Sequence, residues 1–133
     1  MVIKVDHIGI IVKNLDRAIE KFKGFGLSLT EIKEMGKLNA RMGFLSVGDN
    51  SLEIISFTGP GQDDDTMDRI VRGNKGVINH IALEVDDIEV SIMDFEEMGA
   101  KVVEGCPRKG AHGTVAFFYP ETTEGVLIEL CER

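Results

Sequence analysis

The hydrophobic pattern of the chain occurs twice, at a constant offset of 73 residues. A run rich in Val and Ile surrounds His7, and a similar run surrounds His80. The register continues without a gap, and the matched pairs include Ile8 with Ile81, Val12 with Val85, Ile19 with Ile92, Phe22 with Phe95, and Gly26 with Gly99. A repeat of this length predicts two copies of one structural module.

The first module, residues 1–57, is predicted to have the order βαβββ. A helix follows Asn14 or Asp16, with one apolar face formed by Leu15, Ala18, Ile19, Phe22 and Phe25. Gly24 and Gly26 are expected to end it. Val and Ile enrichment and the intervening turn residues predict strands over 2–12, 27–35, 38–47 and 51–57.

The second module, residues 77–133, repeats this order. Asp86 or Asp87 caps a helix that buries Ile88, Ile92, Phe95 and Met98. The predicted strands are 77–85, 100–104, 114–119 and 126–131, with a loop over 106–113. Residues 58–76 form the linker, in which a short helix can begin at Asp65 or Thr66. The pattern therefore predicts an α+β fold in a single domain of residues 1–133.

Composition narrows the class of protein. The chain of 133 residues has 43% hydrophobic and 29% charged residues, as expected for a soluble globular protein. Its net charge of -8 argues against nucleic-acid binding, which needs a basic face. No signal peptide or long apolar run is evident, and Cys106 and Cys131 are expected to be reduced thiols, so we expect a cytoplasmic protein. The acidic run Asp63–Asp65 is interpreted as a solvated loop.

Four residues of metal-binding type occupy matching places in the two modules. His7 and His80 lie on the first strands, and Glu53 and Glu129 lie on the last strands between aliphatic residues. A charge within an apolar strand is costly unless it faces solvent, is paired or binds a metal. Two imidazoles and two carboxylates suit a divalent transition metal and leave positions for water or substrate. We therefore expect His7, Glu53, His80 and Glu129 to bind a metal ion.

Four segments of the chain carry a family likeness: 6–10, 76–82, 109–113, and 118–120 together with 125–130. They resemble the vicinal oxygen chelate superfamily, which includes glyoxalase I, extradiol dioxygenases, bleomycin-resistance proteins and methylmalonyl-CoA epimerases. The similarity covers essentially the whole chain and is greatest to the epimerases. The resemblance implies two tandem βαβββ modules forming a curved, partly open mixed sheet around a metal-binding groove. It also implies a homodimer, which the exposed edges of an open sheet favour too.

The resemblance further implies an activity and a set of site residues. The activity is movement of the alpha proton of a methylmalonyl-CoA-like acyl thioester through an enolate. The same four metal ligands are implied, the metal being cobalt, nickel, zinc or manganese, with Glu129 and Glu53 as catalytic residues. Some epimerases carry a second catalytic glutamate where this chain has Met42, so the second acid or base is unassigned.

Other residues and other functions remain open from the sequence. Arg108 and Lys109, or Arg72 and Lys75, can contact the phosphates of an acyl-CoA substrate, and His112 is expected to be a loop or substrate contact. One alternative function is a glyoxalase I-type lyase acting on a thiol adduct of a 2-oxoaldehyde. The other is a non-catalytic small-molecule binding protein of the same fold.

Overall fold

The computed structural model describes residues 1–57 and 76–133. In these ranges both modules have the predicted βαβββ order. The helices are α1 (Leu15–Gly24) and α2 (Ile88–Glu97). The strands are β1 (Val2–Ile11), β2 (Ser28–Met35), β3 (Ala40–Val47), β4 (Asn50–Phe57), β5 (Val77–Val85), β6 (Arg108–Gly110), β7 (Gly113–Phe117) and β8 (Ile128–Glu132).

The eight strands form a mixed sheet in the order β2-β3-β4-β1-β5-β8-β7-β6. The β5–β8 pair is parallel, whereas the β2–β3, β3–β4, β6–β7 and β7–β8 pairs are antiparallel. This arrangement confirms the predicted α+β class. The chain divides into two compact units, one of residues 1–7 with 80–133 and one of residues 8–79.

The unit of residues 1–7 and 80–133 has its core between α2 and one face of β5, β7 and β8. Asp87 caps α2 by accepting a hydrogen bond from the Val90 N–H at 3.1 Å. Glu132 on β8 accepts another from the Ile88 N–H at 2.8 Å, which ties the start of the helix to the sheet. The buried core residues are Val85, Ile88, Ile92, Ala116, Phe118 and Leu130.

The unit of residues 8–79 has a core of similar construction beneath α1. Asn14 caps this helix by accepting a hydrogen bond from the Arg17 N–H at 2.9 Å. The buried residues are Leu15 and Ile19 from the helix and Leu45 and Ile54 from the sheet. Gly43 allows the helix to approach β3, because a Cβ there would lie 2.7 Å from Ile19 Cδ1.

The second strand of module two differs from the prediction. Residues 100–104 do not form a strand: they contribute one isolated bridge, between Val102 and Phe118. Gly105 follows at φ 88, a left-handed conformation that ends extended backbone. The strand is instead β6, which lies in the predicted 106–113 loop and forms a hairpin with β7. The Gly and Pro residues of segment 106–113 indicated a loop. In the structure Gly110 pairs with Gly113 around a two-residue connection, as in a tight hairpin.

The remaining differences concern single residues and the ends of elements. Phe25 and Met98, predicted on the apolar faces of the helices, are exposed. Short 3₁₀ turns occupy Gly36–Leu38 and Pro120–Thr122, so β3 and β8 begin two residues later than predicted, at Ala40 and Ile128. The predicted linker helix, Arg72 and Lys75 lie outside the described residues. Within the ranges that are described, neither helix is long and apolar enough to cross a membrane.

Candidate metal centre

Strand alternation separates two faces of the sheet formed by β5, β7 and β8. Leu130 and Ala116 are paired across β7 and β8, and both belong to the core beneath α2. Glu129 is paired with Phe117 on β7 and with Ala82 on β5. Since paired residues share a face and neighbours alternate, Glu129 and Phe117 lie on the face away from α2. His80, two residues before Ala82, lies on that face as well.

Three side chains converge on this face. The Nε2 atoms of His7 and His80 are 3.2 Å apart. Glu129 Oε2 lies 3.3 Å from His7 Nε2 and 3.0 Å from His80 Nε2. All three residues are buried, with exposures of 7%, 4% and 5%. The structure thus brings together three of the four predicted ligands within one compact unit.

Asp6 and Arg133 support this cluster from behind His7. Asp6 Oδ2 accepts a hydrogen bond from His7 Nδ1–H at 2.8 Å. Arg133 donates to both oxygens of Asp6, from Nε at 2.6 Å and from Nη2 at 3.1 Å. Burial would raise the pKa of Asp6, but the hydrogen bonds from His7 and Arg133 hold it well below its usual range. An ionised Asp6 can only accept, so His7 donates to it from Nδ1–H and turns Nε2 toward the cluster.

The pKa of Glu129, like that of Asp6, reflects burial opposed by hydrogen bonds. Burial would raise its pKa, yet hydrogen bonds from His7 and His80 lower it below the ordinary value. The cluster therefore holds a buried carboxylate facing two imidazole nitrogens. A carboxylate can accept hydrogen bonds from two imidazole N–H groups, and the same three atoms can bind a cation once those protons are lost.

The spacing of the three atoms fits a transition-metal ion. Metal–ligand bonds of about 2.1 Å place adjacent ligand atoms about 3.0 Å apart in an octahedron and about 3.4 Å apart in a tetrahedron. The observed separations of 3.0, 3.2 and 3.3 Å lie in this interval. His7, His80 and Glu129 thus form a His–Glu–His cluster that can bind a divalent metal.

Glu53 lies in the other unit, on β4. It is buried, at 6% exposure, and it pairs with Phe44 on β3. The next residue, Ile54, belongs to the core beneath α1, so alternation places Glu53 on the face away from that helix. Glu53 and Glu129 therefore have the same orientation with respect to the helix of their own module.

Met42 occupies the same face as Glu53. It pairs with Ile55 on one side and with Lys33 on the other, and its exposure is 9%. Glu31 pairs with Phe44, which in turn pairs with Glu53, so Glu31 lies on this face too, two strands away from Glu53. The only acids on this face of β2, β3 and β4, as far as these strands are described, are Glu31 and Glu53.

The structure separates the two basic residues predicted to contact substrate. Arg108 pairs with Val115, on the face of Phe117, and its guanidinium lies 5.7 Å from the Phe117 ring centroid. That ring packs edge-on against His80 at 5.7 Å. Lys109 is exposed and pairs with Thr114, which places it on the opposite face of the hairpin. His112 is half-buried in the β6–β7 connection.

The sequence interpretation missed Asp6, Arg133 and Phe117. Asp6 carried a weak signal, because a carboxylate in an apolar strand is costly to bury unless it is paired. Arg133 gave none, since its contact with Asp6 spans 127 residues of sequence. Phe117 was interpreted as a strand residue only.

Comparison with known proteins places the chain in a family. Residues 6–118 match the model of the glyoxalase/bleomycin resistance protein/dioxygenase superfamily. The chain is 29% identical to the mitochondrial methylmalonyl-CoA epimerase of Dictyostelium discoideum, over 98% of this chain and 78% of that protein.

Two solved structures are similar over nearly the whole chain. A hypothetical protein from Bacillus halodurans has a TM-score of 0.85 at 28% identity, covering 98% of this chain and 94% of that one. The methylmalonyl-CoA epimerase of Mycobacterium tuberculosis has a TM-score of 0.83 at 25% identity, covering 98% and 88%. The chain belongs to the glyoxalase/bleomycin resistance protein/dioxygenase superfamily.

Proposed function

We propose that the protein is a metal-dependent isomerase, an epimerase that moves the alpha proton of a methylmalonyl-CoA-like acyl thioester through an enolate. The observation that carries the proposal is the convergence of His7, His80 and Glu129 at metal-ligand spacing. The methylmalonyl-CoA epimerases among its relatives, which match over nearly the whole chain, indicate the substrate class.

The metal would be held by His7, His80 and Glu129, with Glu53 as the fourth ligand. Glu53 is assigned by the repeat, because it is the module-one counterpart of Glu129 and has the same orientation relative to its helix. Cobalt, nickel, zinc and manganese all accept nitrogen and oxygen ligands. When bound, the ion would stabilise negative charge that develops on the thioester oxygen.

Proton transfer is assigned to carboxylates. Glu129 and Glu53 are the proposed catalytic residues beside the metal, and epimerisation also needs an acid or base on the other face of the alpha carbon. Met42 carries no titratable group. Glu31 shares its sheet face and is one strand away, so we assign the second proton transfer to Glu31.

The acyl-CoA substrate would be bound in part by Arg108. Its guanidinium lies over Phe117, which in turn contacts the ligand His80, so a positive charge stands near the cluster. Carboxylate and phosphate groups are the natural partners of a guanidinium. Lys109 and His112 remain assigned to the outer parts of the substrate, and a cytoplasmic homodimer remains the expected state, to be checked by the mass in solution.

The test is exchange of the alpha proton. Purified protein loaded with cobalt should exchange the alpha proton of methylmalonyl-CoA for deuterium in heavy water, as measured by mass spectrometry. Glu129→Gln should abolish exchange. Glu31→Gln should slow it by about 100-fold or more, the contribution of a general acid or base.

A matched control for Glu31 lies on the same strand. Glu34 is exposed and pairs with Arg41, on the other face of β2, so Glu34→Gln should exchange like the parent protein. Absence of exchange in the cobalt-loaded parent protein would contradict epimerase activity. Turnover of a hemithioacetal instead would identify the lyase activity that the superfamily description also allows.

A further inference from the structure

We propose that Asp6, held by Arg133, is a positioning residue that fixes the ring and the tautomer of His7 for metal binding. The inference rests on the proposed metal site. It concerns three side chains joined by hydrogen bonds: the guanidinium of Arg133, the carboxylate of Asp6 and the imidazole of His7.

The geometry of the Arg133–Asp6 pair restricts the carboxylate. Nε and Nη2 of Arg133 donate to different oxygens of Asp6, at 2.6 and 3.1 Å. These two hydrogen bonds fix the orientation of the carboxylate. The oxygen bound by Nη2 also accepts from His7 Nδ1–H, at 2.8 Å. A carboxylate held in this way orients the His7 imidazole so that its Nε2 atom faces His80 and Glu129.

Burial makes this contact different from a surface ion pair. Asp6 is 4% exposed and His7 is 7% exposed, so water does not compete well for the hydrogen bond. A ring nitrogen that donates to a carboxylate makes the other nitrogen a more basic ligand, and loss of such a partner typically weakens metal binding about 10- to 100-fold. The hydrogen bond from His7 to Asp6 therefore sets both the orientation of the His7 ring and the basicity of its Nε2 atom.

The repeat does not duplicate the acid at Asp6. The residue before His80, equivalent to Asp6, is Asn79. An amide carries no negative charge, so it cannot polarise an imidazole as a carboxylate does. Asn79 therefore cannot give His80 the carboxylate contact that Asp6 gives His7.

The experiment measures the tautomer of His7 and the affinity for cobalt. In the metal-free protein, ¹⁵N NMR should show the His7 proton on Nδ1, and Asp6→Ala should populate the Nε2–H tautomer. Cobalt titration followed by visible absorption should show about a 10- to 100-fold weaker Kd in Asp6→Asn, with a changed spectrum. Arg133→Gln should weaken binding by a smaller factor, and Arg133→Lys should recover part of the loss.

The control is Arg41→Gln, which removes a pair of similar geometry, with Nε 2.9 Å from Glu34, on a strand of the other unit. It should bind cobalt like the parent protein. Tight cobalt binding by Asp6→Asn and Arg133→Gln would overturn the inference, and so would a parent His7 with its proton on Nε2. If the parent protein binds no cobalt, the proposed function fails, while the tautomer measurement still decides the role of Asp6.

Discussion

Metal binding should stabilise the folded protein through Glu129, and Glu129→Gln should remove most of that effect. Glutamine preserves the size of the side chain but replaces a buried carboxylate, 3.0 Å from His80 Nε2, with a neutral amide. The folded chain presents the three ligand atoms together, whereas the unfolded chain separates residues that are 73 positions apart in sequence. Metal should therefore bind the folded state and raise its unfolding temperature.

The magnitude follows from mass action and chain length. At a free metal concentration of 100 Kd, binding stabilises the folded state by about 2.7 kcal/mol. For 133 residues the unfolding entropy near the midpoint is about 280 cal/mol/K. The expected increase in Tm is thus about 10 °C. A 100-fold weaker Kd in Glu129→Gln leaves about 0.4 kcal/mol at the same metal concentration, or less than about 2 °C.

The assay is thermal unfolding by circular dichroism, with and without cobalt, at one fixed free metal concentration. Glu97→Gln is the matched control, because Glu97 is an exposed residue of α2. It should keep the full metal-dependent increase in Tm. An equal increase in Glu129→Gln and in the parent protein would refute the assignment of Glu129 as a ligand. No increase in the parent protein would refute the metal site itself.

Three further outcomes are expected. Phe118→Ala should lower the free energy of unfolding by about 3–5 kcal/mol, since Phe118 is fully buried and stacks on Phe95 at 5.0 Å. Urea denaturation measures this loss, and a value below about 1 kcal/mol would contradict the assignment of Phe118 to the core. Alkylation at pH 8 should modify Cys106 well before Cys131, because burial raises the pKa of Cys131 to about 12; mass spectrometry of both peptides decides the order. Arg108→Gln should raise the KM for acyl-CoA with the metal affinity unchanged, and an unchanged KM would separate Arg108 from the substrate.

Much of the fold could be predicted from periodicity because the modules are locally consistent. Both helices begin after the expected capping residues, Asn14 and Asp87, and each contributes two predicted residues to its core. The last residue predicted on each apolar face is exposed instead, Phe25 in module one and Met98 in module two. The prediction failed at 100–113, where pairing rather than composition decides which residues form a strand. There the Val102 segment has a single bridge, whereas β6 pairs with β7 across a two-residue connection that is flanked by Gly110 and Gly113.

The candidate ligands could be predicted from the sequence because they occur at matching places in both modules. The repeat identified His7, His80 and Glu129, which the structure brings within 3.3 Å of one another. It could not identify partners that the repeat does not duplicate, such as Asp6, Arg133 and Phe117. Their contacts depend on which strand ends meet in three dimensions, and hydrophobic periodicity contains no such information.

A buried glutamate at the same place in both modules is difficult to explain by stability. Glu53 and Glu129 each lie on the face of the sheet away from their own helix, and each is followed in sequence by a residue of the core beneath that helix, Ile54 or Leu130. A buried carboxylate costs several kcal/mol unless partners compensate for its desolvation, and an aliphatic residue of similar size would avoid that cost. For Glu129 the compensation includes two imidazoles at 3.0 and 3.3 Å, the groups that share metal sites with carboxylates. Because the same cost recurs at Glu53, function rather than packing best explains why both modules have a carboxylate at this position.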